Sequence, residues 1–167
     1  GYTQAVYWGL FEASSRDGFL LARPDGRSDS HGRNFWNATD ACCDRDGNSG
    51  DDVAYLMAVI DDVQKRYNGD AKRIYVVGHS NGGFMSHRLA CEHGDRIAAI
   101  VSLAGMTWRD PDDCPAPSHV SVLQVHGDAD RVVRYAGGGP LLDGLAAYPS
   151  ATATVADGVR ECEVAAE

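Results

Sequence analysis

The residue in this sequence best placed to act as a nucleophile is Ser80, at the centre of residues 78–82 (GHSNG). This G-x-S-x-G pattern stands between an apolar, β-branched run and a stretch with helical spacing. Such a serine occupies a tight strand-to-helix turn that lifts its hydroxyl out of the sheet, where glycines avoid collisions with neighbouring backbone. The amide of Asn81 would then face the oxyanion of a tetrahedral intermediate from a helix N-terminus. The pattern predicts a serine nucleophile for acyl transfer, with a solvated serine in a glycine-rich turn as the alternative.

A serine nucleophile needs a general base and an acid that orients the base. When the serine lies on this kind of turn, the acid and then the base follow it along the chain. Asp130 is the natural acid because it comes shortly after the apolar run 120–125, at the carboxyl end of a predicted strand. Asp128 is the nearer rival, and either aspartate could instead be a solvated turn residue. His126 precedes the acid, so we expect it to be a packed or hydrogen-bonded structural residue.

No histidine follows His126 in the sequence, and the earlier ones are poor substitutes for the base. His79 lies inside the turn, and a residue next to the nucleophile points away from it. An ordinary surface or packing role is favoured for the others, which lie in a long loop, on the helix after Ser80 or at the amino end of a strand: His31, His87, His93 and His119. The sequence therefore offers a nucleophile and an acid without an identified base.

The elements that must position these residues can be predicted from hydrophobic periodicity. The clearest helix has an apolar stripe from Val53 to Tyr67 and an N-cap at Asp51 or Asp52. Further helices are expected over 5–15, after the turn at Ser80 toward Gly94, and over 149–161.

Apolar runs predict strands at 19–22, 73–77, 98–103 and 120–125, with 73–77 covered on both faces. Strands that alternate with helices indicate an α/β fold, with a mostly parallel sheet of about four strands flanked by helices. We expect the last three strands to pair in parallel through right-handed crossovers. A buried strand with unpaired amides is costly, so the strand at 19–22 must pair beside 74–77, stay detached or recruit another chain, and we favour pairing beside 74–77.

The cysteines and Trp36 lie in or near a long stretch between Pro24 and Gly50 that is rich in Gly, Asn, Asp and Ser and predicts an ordered loop. Adjacent α-carbons about 3.8 Å apart fall short of the usual disulfide span, so Cys42 and Cys43 are each expected to pair with a distant partner. The candidate partners are Cys91, Cys114 and Cys162. The spacings do not match a zinc site, so structural disulfides are favoured, and one of the five cysteines lacks a partner within the chain.

Composition narrows the class of protein. The chain of 167 residues is 44% hydrophobic, enough for one core, and carries 15 basic against 24 acidic residues. This net charge of -9, without a basic cluster, argues against nucleic acid or an anionic membrane as a partner. No apolar run approaches the roughly 20 residues of a membrane-spanning helix. Disulfides favour an exported protein, whose signal would precede Gly1.

Several sequence blocks, in order, resemble the family that joins extracellular poly(3-hydroxybutyrate) depolymerases with feruloyl and acetylxylan esterases, also called carbohydrate esterase family one. They are residues 19–26, 35–38 with 42–43, 51–53, 73–83, 88–91, and 126–127 with Asp130. The resemblance implies an α/β-hydrolase fold and an exported serine esterase that uses no metal or cofactor. Ser80 would be the nucleophile, Asp130 the acid and the Asn81 amide one oxyanion donor. Trp36 would line the substrate pocket, and His79 would contact substrate. The alternative for Trp36 is a purely structural role in packing.

Members of this family begin with strands that lead to an HG segment, which supplies the second oxyanion amide, and end with a segment that carries the catalytic histidine. Neither segment is found here. The resemblance therefore implies that residues 1–167 are an incomplete α/β-hydrolase domain, inactive alone, from an enzyme for polyester or for feruloyl or acetyl esters of plant polysaccharide. A noncatalytic polymer- or glycan-binding relative that has lost the base is the alternative. The intact turn at Ser80 disfavours it, because a binding module does not need backbone strain there.

Overall fold

A computed structural model gives the structure of the protein and describes residues 2–47, 50–114, 120–141 and 144–158. The helices in these ranges are α1 (Tyr2–Tyr7), α2 (Leu10–Asp17), α3 (Asp52–Tyr67), α4 (Asn81–Glu92) and α5 (Ala151–Gly158), with a 3₁₀ turn at Pro111–Asp113. The strands are β1 (Arg27–Ser28), β2 (Asn34–Phe35), β3 (Tyr75–His79), β4 (Ala99–Leu103) and β5 (Ser121–Val125).

The central sheet is parallel, with strand order β3-β4-β5. This confirms the predicted parallel pairing, with three strands in the described residues where about four were expected. The register sets His79 opposite Leu103 and Leu103 opposite Val125. Because the three strands end in line, the residues that follow β3 and β5 meet at one edge of the sheet.

One face of the sheet carries the core. Helix α4 packs along β3 and β4, and its Phe84, Met85 and Leu89 form a buried cluster with apolar residues of α3. On the opposite face Tyr75 and Val77 are 63% and 42% exposed. The prediction that this strand is covered on both faces is therefore wrong, because α3 and α4 lie against the same side of it.

Helix α3 begins and ends as predicted, for the expected reasons. The Asp51 carboxylate caps it by accepting a hydrogen bond from the Ala54 amide at 2.8 Å, and Asn68 ends it in a left-handed conformation. Val53, Leu56 and Met57 form the buried stripe. The neighbouring Asp52 is not the cap: its side chain is buried and bonds elsewhere.

The N-terminal prediction is only partly correct. The helix expected over residues 5–15 is divided into α1 and α2 at Gly9, whose φ of 63° interrupts the helical backbone. The strand expected at 19–22 is wrong: the segment has no regular structure, and Phe19 and Leu20 are 43% and 52% exposed. An apolar run becomes a strand only when a neighbour completes its hydrogen bonds, and this segment passes β3 without pairing with it. Instead, β1 and β2 form an antiparallel hairpin inside the predicted long loop.

The cysteine pairing also differs from the prediction. Cys42 and Cys43 are joined to each other across a cis peptide bond, with α-carbons 3.0 Å apart, whereas the prediction used the separation across a trans bond. Cys91 pairs with Cys114, with α-carbons 5.2 Å apart. Cys162 lies outside the described residues, as does the end of the final helix expected over 149–161. In the described ranges, no helix is both long and apolar enough to cross a membrane.

Candidate active site

Ser80 lies at the turn between β3 and α4, as the sequence predicts. Its backbone angles, φ 52° and ψ −119°, fall in a region that residues with a side chain rarely adopt. Two hydrogen bonds hold this conformation: the Ser80 amide donates to the Leu103 carbonyl at 2.8 Å, and the Phe84 amide donates to the Ser80 carbonyl at 3.0 Å. The strain is therefore supported both by the sheet and by the first turn of the helix.

The glycines around Ser80 differ in what they make possible. A Cβ on Gly78 would collide with the carbonyl of Gly82, and a Cβ on Gly83 would lie 2.8 Å from Ser102 Oγ and 2.9 Å from Gly105 Cα. A Cβ on Gly82 would meet nothing within 4 Å. The need for small residues therefore applies to positions 78 and 83, and the expectation that the second glycine of the pattern avoids a collision is wrong.

This difference predicts opposite effects for two otherwise similar substitutions. Gly78→Ala should destabilise the protein by about 1–3 kcal/mol, because the new methyl group meets main chain that has no room to move. Gly82→Ala, the matched control, should be neutral or stabilise by up to about 1 kcal/mol, since alanine is favoured within a helix. Urea unfolding followed by circular dichroism measures both values, and equal losses of stability would contradict the crowding argument.

Asn81 offers two polar groups at the start of α4. Its backbone amide belongs to the first helical turn, where no intrahelical carbonyl is available to accept a hydrogen bond. Its side chain points to the preceding loop: Oδ1 accepts from the Trp36 amide at 2.6 Å, and Nδ2 donates to the Trp36 carbonyl at 2.8 Å. The side chain therefore anchors the loop, which leaves the main-chain amide as the oxyanion candidate.

The loop at Trp36 is held from both flanking helices. The Arg88 guanidinium donates to the carbonyls of Asn37 and Ala38 at 2.9 and 3.1 Å, and the buried Asp52 carboxylate accepts from the Asn37 amide at 2.7 Å. The Trp36 ring stacks on Tyr55, with ring centres 6.3 Å apart. The sequence analysis did not identify Asn81, Asp52 and Arg88 as residues that hold this loop. The one available signal was Asp52, a charged residue beside the apolar stripe of α3.

A cavity of about 430 Å³ opens beside the edge of β3 and reaches Ser80. Its wall includes four of the predicted site residues: Ser80, Asn81, Trp36 and His79. Apolar side chains complete it, among them Trp8, Leu21, Phe35, Tyr75 and Val77. The His79 ring lies edge-on to Trp8, with ring centres 6.4 Å apart. This volume and lining suit a small, largely apolar ligand group.

Asp130 is not part of this cavity wall. It follows β5, and its Oδ1 accepts hydrogen bonds from the amides of Val132 and Val133 at 2.8 and 3.1 Å. Ser80 follows β3 and Asp130 lies in the loop after β5, at the same edge of the sheet, and these two strands are roughly 10 Å apart by the usual strand spacing. The rival Asp128 is exposed, whereas Asp130 is partly buried, so local structure favours Asp130 as the better ordered carboxylate.

The described histidines are engaged away from Ser80. His126 Nε2 donates to the Val133 carbonyl at 2.6 Å, and buried His87 bonds to Gln124. His93 closes α4, and His31 is exposed on the β1–β2 hairpin. His119 lies outside the described residues. Within the described ranges, no hydrogen bond joins a histidine to Ser80, and no cluster of three or more His, Cys, Asp or Glu could hold a metal ion.

Comparison with known proteins is consistent with this geometry. The family model described as alpha/beta hydrolase fold matches residues 5–149. NocK of Nocardia uniformis subsp. tsuyamanensis, a presumed esterase, is 30% identical over 147 residues, which cover 88% of this chain and 39% of NocK. Feruloyl esterase B of Piromyces equi is 32% identical over 130 residues, covering 76% of this chain and 23% of the esterase.

A third relative combines two activities in its name. The bifunctional acetylxylan esterase/xylanase XynS20E of Neocallimastix patriciarum is 31% identical over 84 residues, which cover 50% of this chain and 12% of XynS20E. The chain spans less than half the length of each of these three relatives.

Proposed function

Because the chain belongs to the alpha/beta hydrolase fold family, we propose that it forms the nucleophile-bearing core of a serine carboxylic-ester hydrolase. The observation that carries the proposal is the strained backbone of Ser80, held at the strand-to-helix turn and beside a cavity. Strain of this kind persists where a mechanism needs it, since a serine without a chemical task would relax to an ordinary turn. The esterase names of the relatives point to the same reaction.

In the proposed reaction a base removes the Ser80 proton while Oγ attacks the ester carbonyl carbon. The negative charge that develops on the carbonyl oxygen is stabilised by the Asn81 amide. The alcohol leaves with the proton, and water then hydrolyses the acyl-serine and releases the carboxylic acid product. Asp130 would orient the base. The base and a second oxyanion donor would come from parts of the enzyme outside residues 1–167, which makes this chain a partial catalytic domain.

The relatives and the cavity support a proposal for the substrate class. Relatives named feruloyl esterase and acetylxylan esterase support feruloyl or acetyl esters of plant polysaccharide, and Trp8 and Trp36 in the cavity wall would pack well against an aromatic acyl group. A polyester such as poly(3-hydroxybutyrate) is the other candidate substrate. The Cys91–Cys114 disulfide supports an exported enzyme.

A second candidate function is noncatalytic binding of a polymer or glycan. It is favoured by the absence of a hydrogen bond between Ser80 and any histidine within the described ranges. The retained strain at Ser80 speaks against it.

The test is active-site labelling of the natural polypeptide that contains this segment. A fluorophosphonate probe should label Ser80, and Ser80→Ala should lose both labelling and the hydrolysis of ethyl ferulate and p-nitrophenyl acetate by a factor of about 10⁴ or more. Ser121→Ala, at an exposed serine on β5, is the matched control and should keep both. Undiminished hydrolysis by Ser80→Ala would refute the proposal.

A further inference from the structure

Gln124 is a buried polar residue on β5 with no obvious task in the proposed reaction. It is 5% exposed and lies on β5, where its side chain contacts residues of α4, of the segment after β4 and of the segment after β5. Its Nε2 donates to the Gly105 carbonyl at 2.7 Å and lies 3.4 Å from His126 Nδ1. Its Oε1 lies 3.1 Å from His87 Nε2. One carboxamide therefore contacts three separate segments of the fold.

The donors and acceptors of this network can be assigned without ambiguity. The Gly105 carbonyl only accepts, so the amide nitrogen of Gln124 must face it, and the oxygen must face His87. His87 Nε2 therefore carries a hydrogen. Burial lowers the pKa of the His87 imidazole to about 4, so this ring is neutral near pH 7 and its second nitrogen is unprotonated.

The same reasoning determines the state of His126. The second amide hydrogen of Gln124 points at His126 Nδ1, which must be the unprotonated nitrogen in order to accept it. His126 Nε2 then carries the hydrogen, in agreement with its 2.6 Å bond to the Val133 carbonyl. In the opposite tautomer, two donors would face each other at Nδ1 and the Val133 carbonyl would lose its partner. Each of the four contacts joins a donor to an acceptor in this arrangement only.

Val133 connects the network to the candidate acid. Its carbonyl accepts from His126, while its amide donates to Asp130 Oδ1 at 3.1 Å. Val133 is 2% exposed, and the other carboxylate oxygen of Asp130 lies 4.0 Å from His126 Nε2. The tautomer of His126 thus governs whether Val133, whose amide holds the Asp130 carboxylate, is itself held through its carbonyl.

We propose that Gln124 is a positioning residue for the candidate acid, which selects the Nε2–H tautomer of His126 and thereby fixes the Asp130–Val133 loop. The role of Asp130 as the acid rests on the proposed esterase function. The hydrogen-bond relay from His87 through Gln124 and His126 to Val133 stands on the described contacts alone.

The experiment is nitrogen-15 NMR of the histidine rings at pH 7, with hydrogen exchange of the Val132 and Val133 amides. In the unsubstituted chain, His126 should show a protonated Nε2 and an unprotonated Nδ1. Gln124→Glu replaces the donor with a carboxylate that can only accept, so Nδ1 of His126 should become protonated and the signal of its unprotonated form should be lost. Exchange of the two amides should become at least tenfold faster.

Gln4→Glu is the matched control, because the same chemical change at an exposed position should alter neither readout. An Nδ1–H tautomer in the unsubstituted chain would overturn the proposal whether or not any variant folds. An unchanged tautomer and unchanged exchange in Gln124→Glu would overturn it too. If Gln124→Glu does not fold, Gln124→Met serves instead, and it should show a mixture of His126 tautomers in place of one. Because these measurements need no substrate, their outcome is independent of fluorophosphonate labelling, which tests the esterase proposal.

Discussion

The 167-residue chain is expected to hydrolyse p-nitrophenyl acetate at least about 10⁴-fold more slowly than a complete serine esterase, because loss of a triad member removes that much of the rate. The candidate nucleophile and the candidate acid are present, but no histidine follows Asp130 in the sequence. Among the described histidines, the rings of His87 and His126 are already hydrogen-bonded to other groups. Initial rates of the chain and of its Ser80→Ala variant should therefore be indistinguishable.

Free imidazole provides a positive control for this expectation. If Ser80 is correctly placed and lacks only a base, high concentrations of imidazole should accelerate hydrolysis by the chain more than hydrolysis by Ser80→Ala. Ser80-dependent turnover at an ordinary esterase rate without imidazole would contradict the prediction. It would mean that one of the six histidines in the sequence serves as the base.

The second large effect is acid destabilisation through His87. Burial lowers the pKa of this imidazole from 6.5 to about 4 in the folded protein. Between these two pKa values the imidazole is protonated in the unfolded chain but not in the folded chain. The free energy of unfolding therefore falls as the pH drops from about 6.5 to 4. This lowering of the pKa to about 4 corresponds to about 3 kcal/mol of lost stability from this residue.

Urea unfolding at several pH values between 7 and 4 measures this loss. His87→Gln keeps a donor toward Gln124 without a group that titrates in this range, so its stability should fall by about 3 kcal/mol less over the same interval. His31→Gln, at an exposed histidine, controls for the removal of one imidazole from the chain. Parallel pH curves for the unsubstituted chain and His87→Gln would show that His87 is not buried as described.

Local patterns predicted the parts of the fold that depend on local physics. The stripe from Val53 to Met57 and the cap at Asp51 define α3 because helix period and capping act within a few residues. The β-branched runs predicted β3, β4 and β5, and the glycine pattern placed Ser80 at the turn between β3 and α4. All of these features follow from short-range spacing that is visible in the sequence.

The parts that failed depend on distant partners. The apolar run at Phe19 looked like a strand, but hydrophobicity does not say whether a neighbouring strand is in reach. The hydrogen bonds between the Asn81 side chain and the Trp36 backbone join residues 45 positions apart. A side-chain amide that bonds to distant backbone produces no periodic pattern in the sequence. The hydrogen bonds of Gln124 could not be predicted either, because one polar residue in an apolar strand does not reveal which groups surround it.

The contact between Gly83 and Gly105 limits how this site could evolve or be engineered. A Cβ on Gly105 would come within 2.6 Å of the Phe84 nitrogen, and a Cβ on Gly83 would come within 2.9 Å of Gly105 Cα. At Gly105 the nearest obstacles are all main-chain atoms, so shortening a neighbouring side chain cannot make room there; at Gly83 the Ser102 Oγ, 2.8 Å away, is an obstacle in addition to the main chain of Gly105. Larger residues at either position should be deleterious on every genetic background, without compensating second-site mutations.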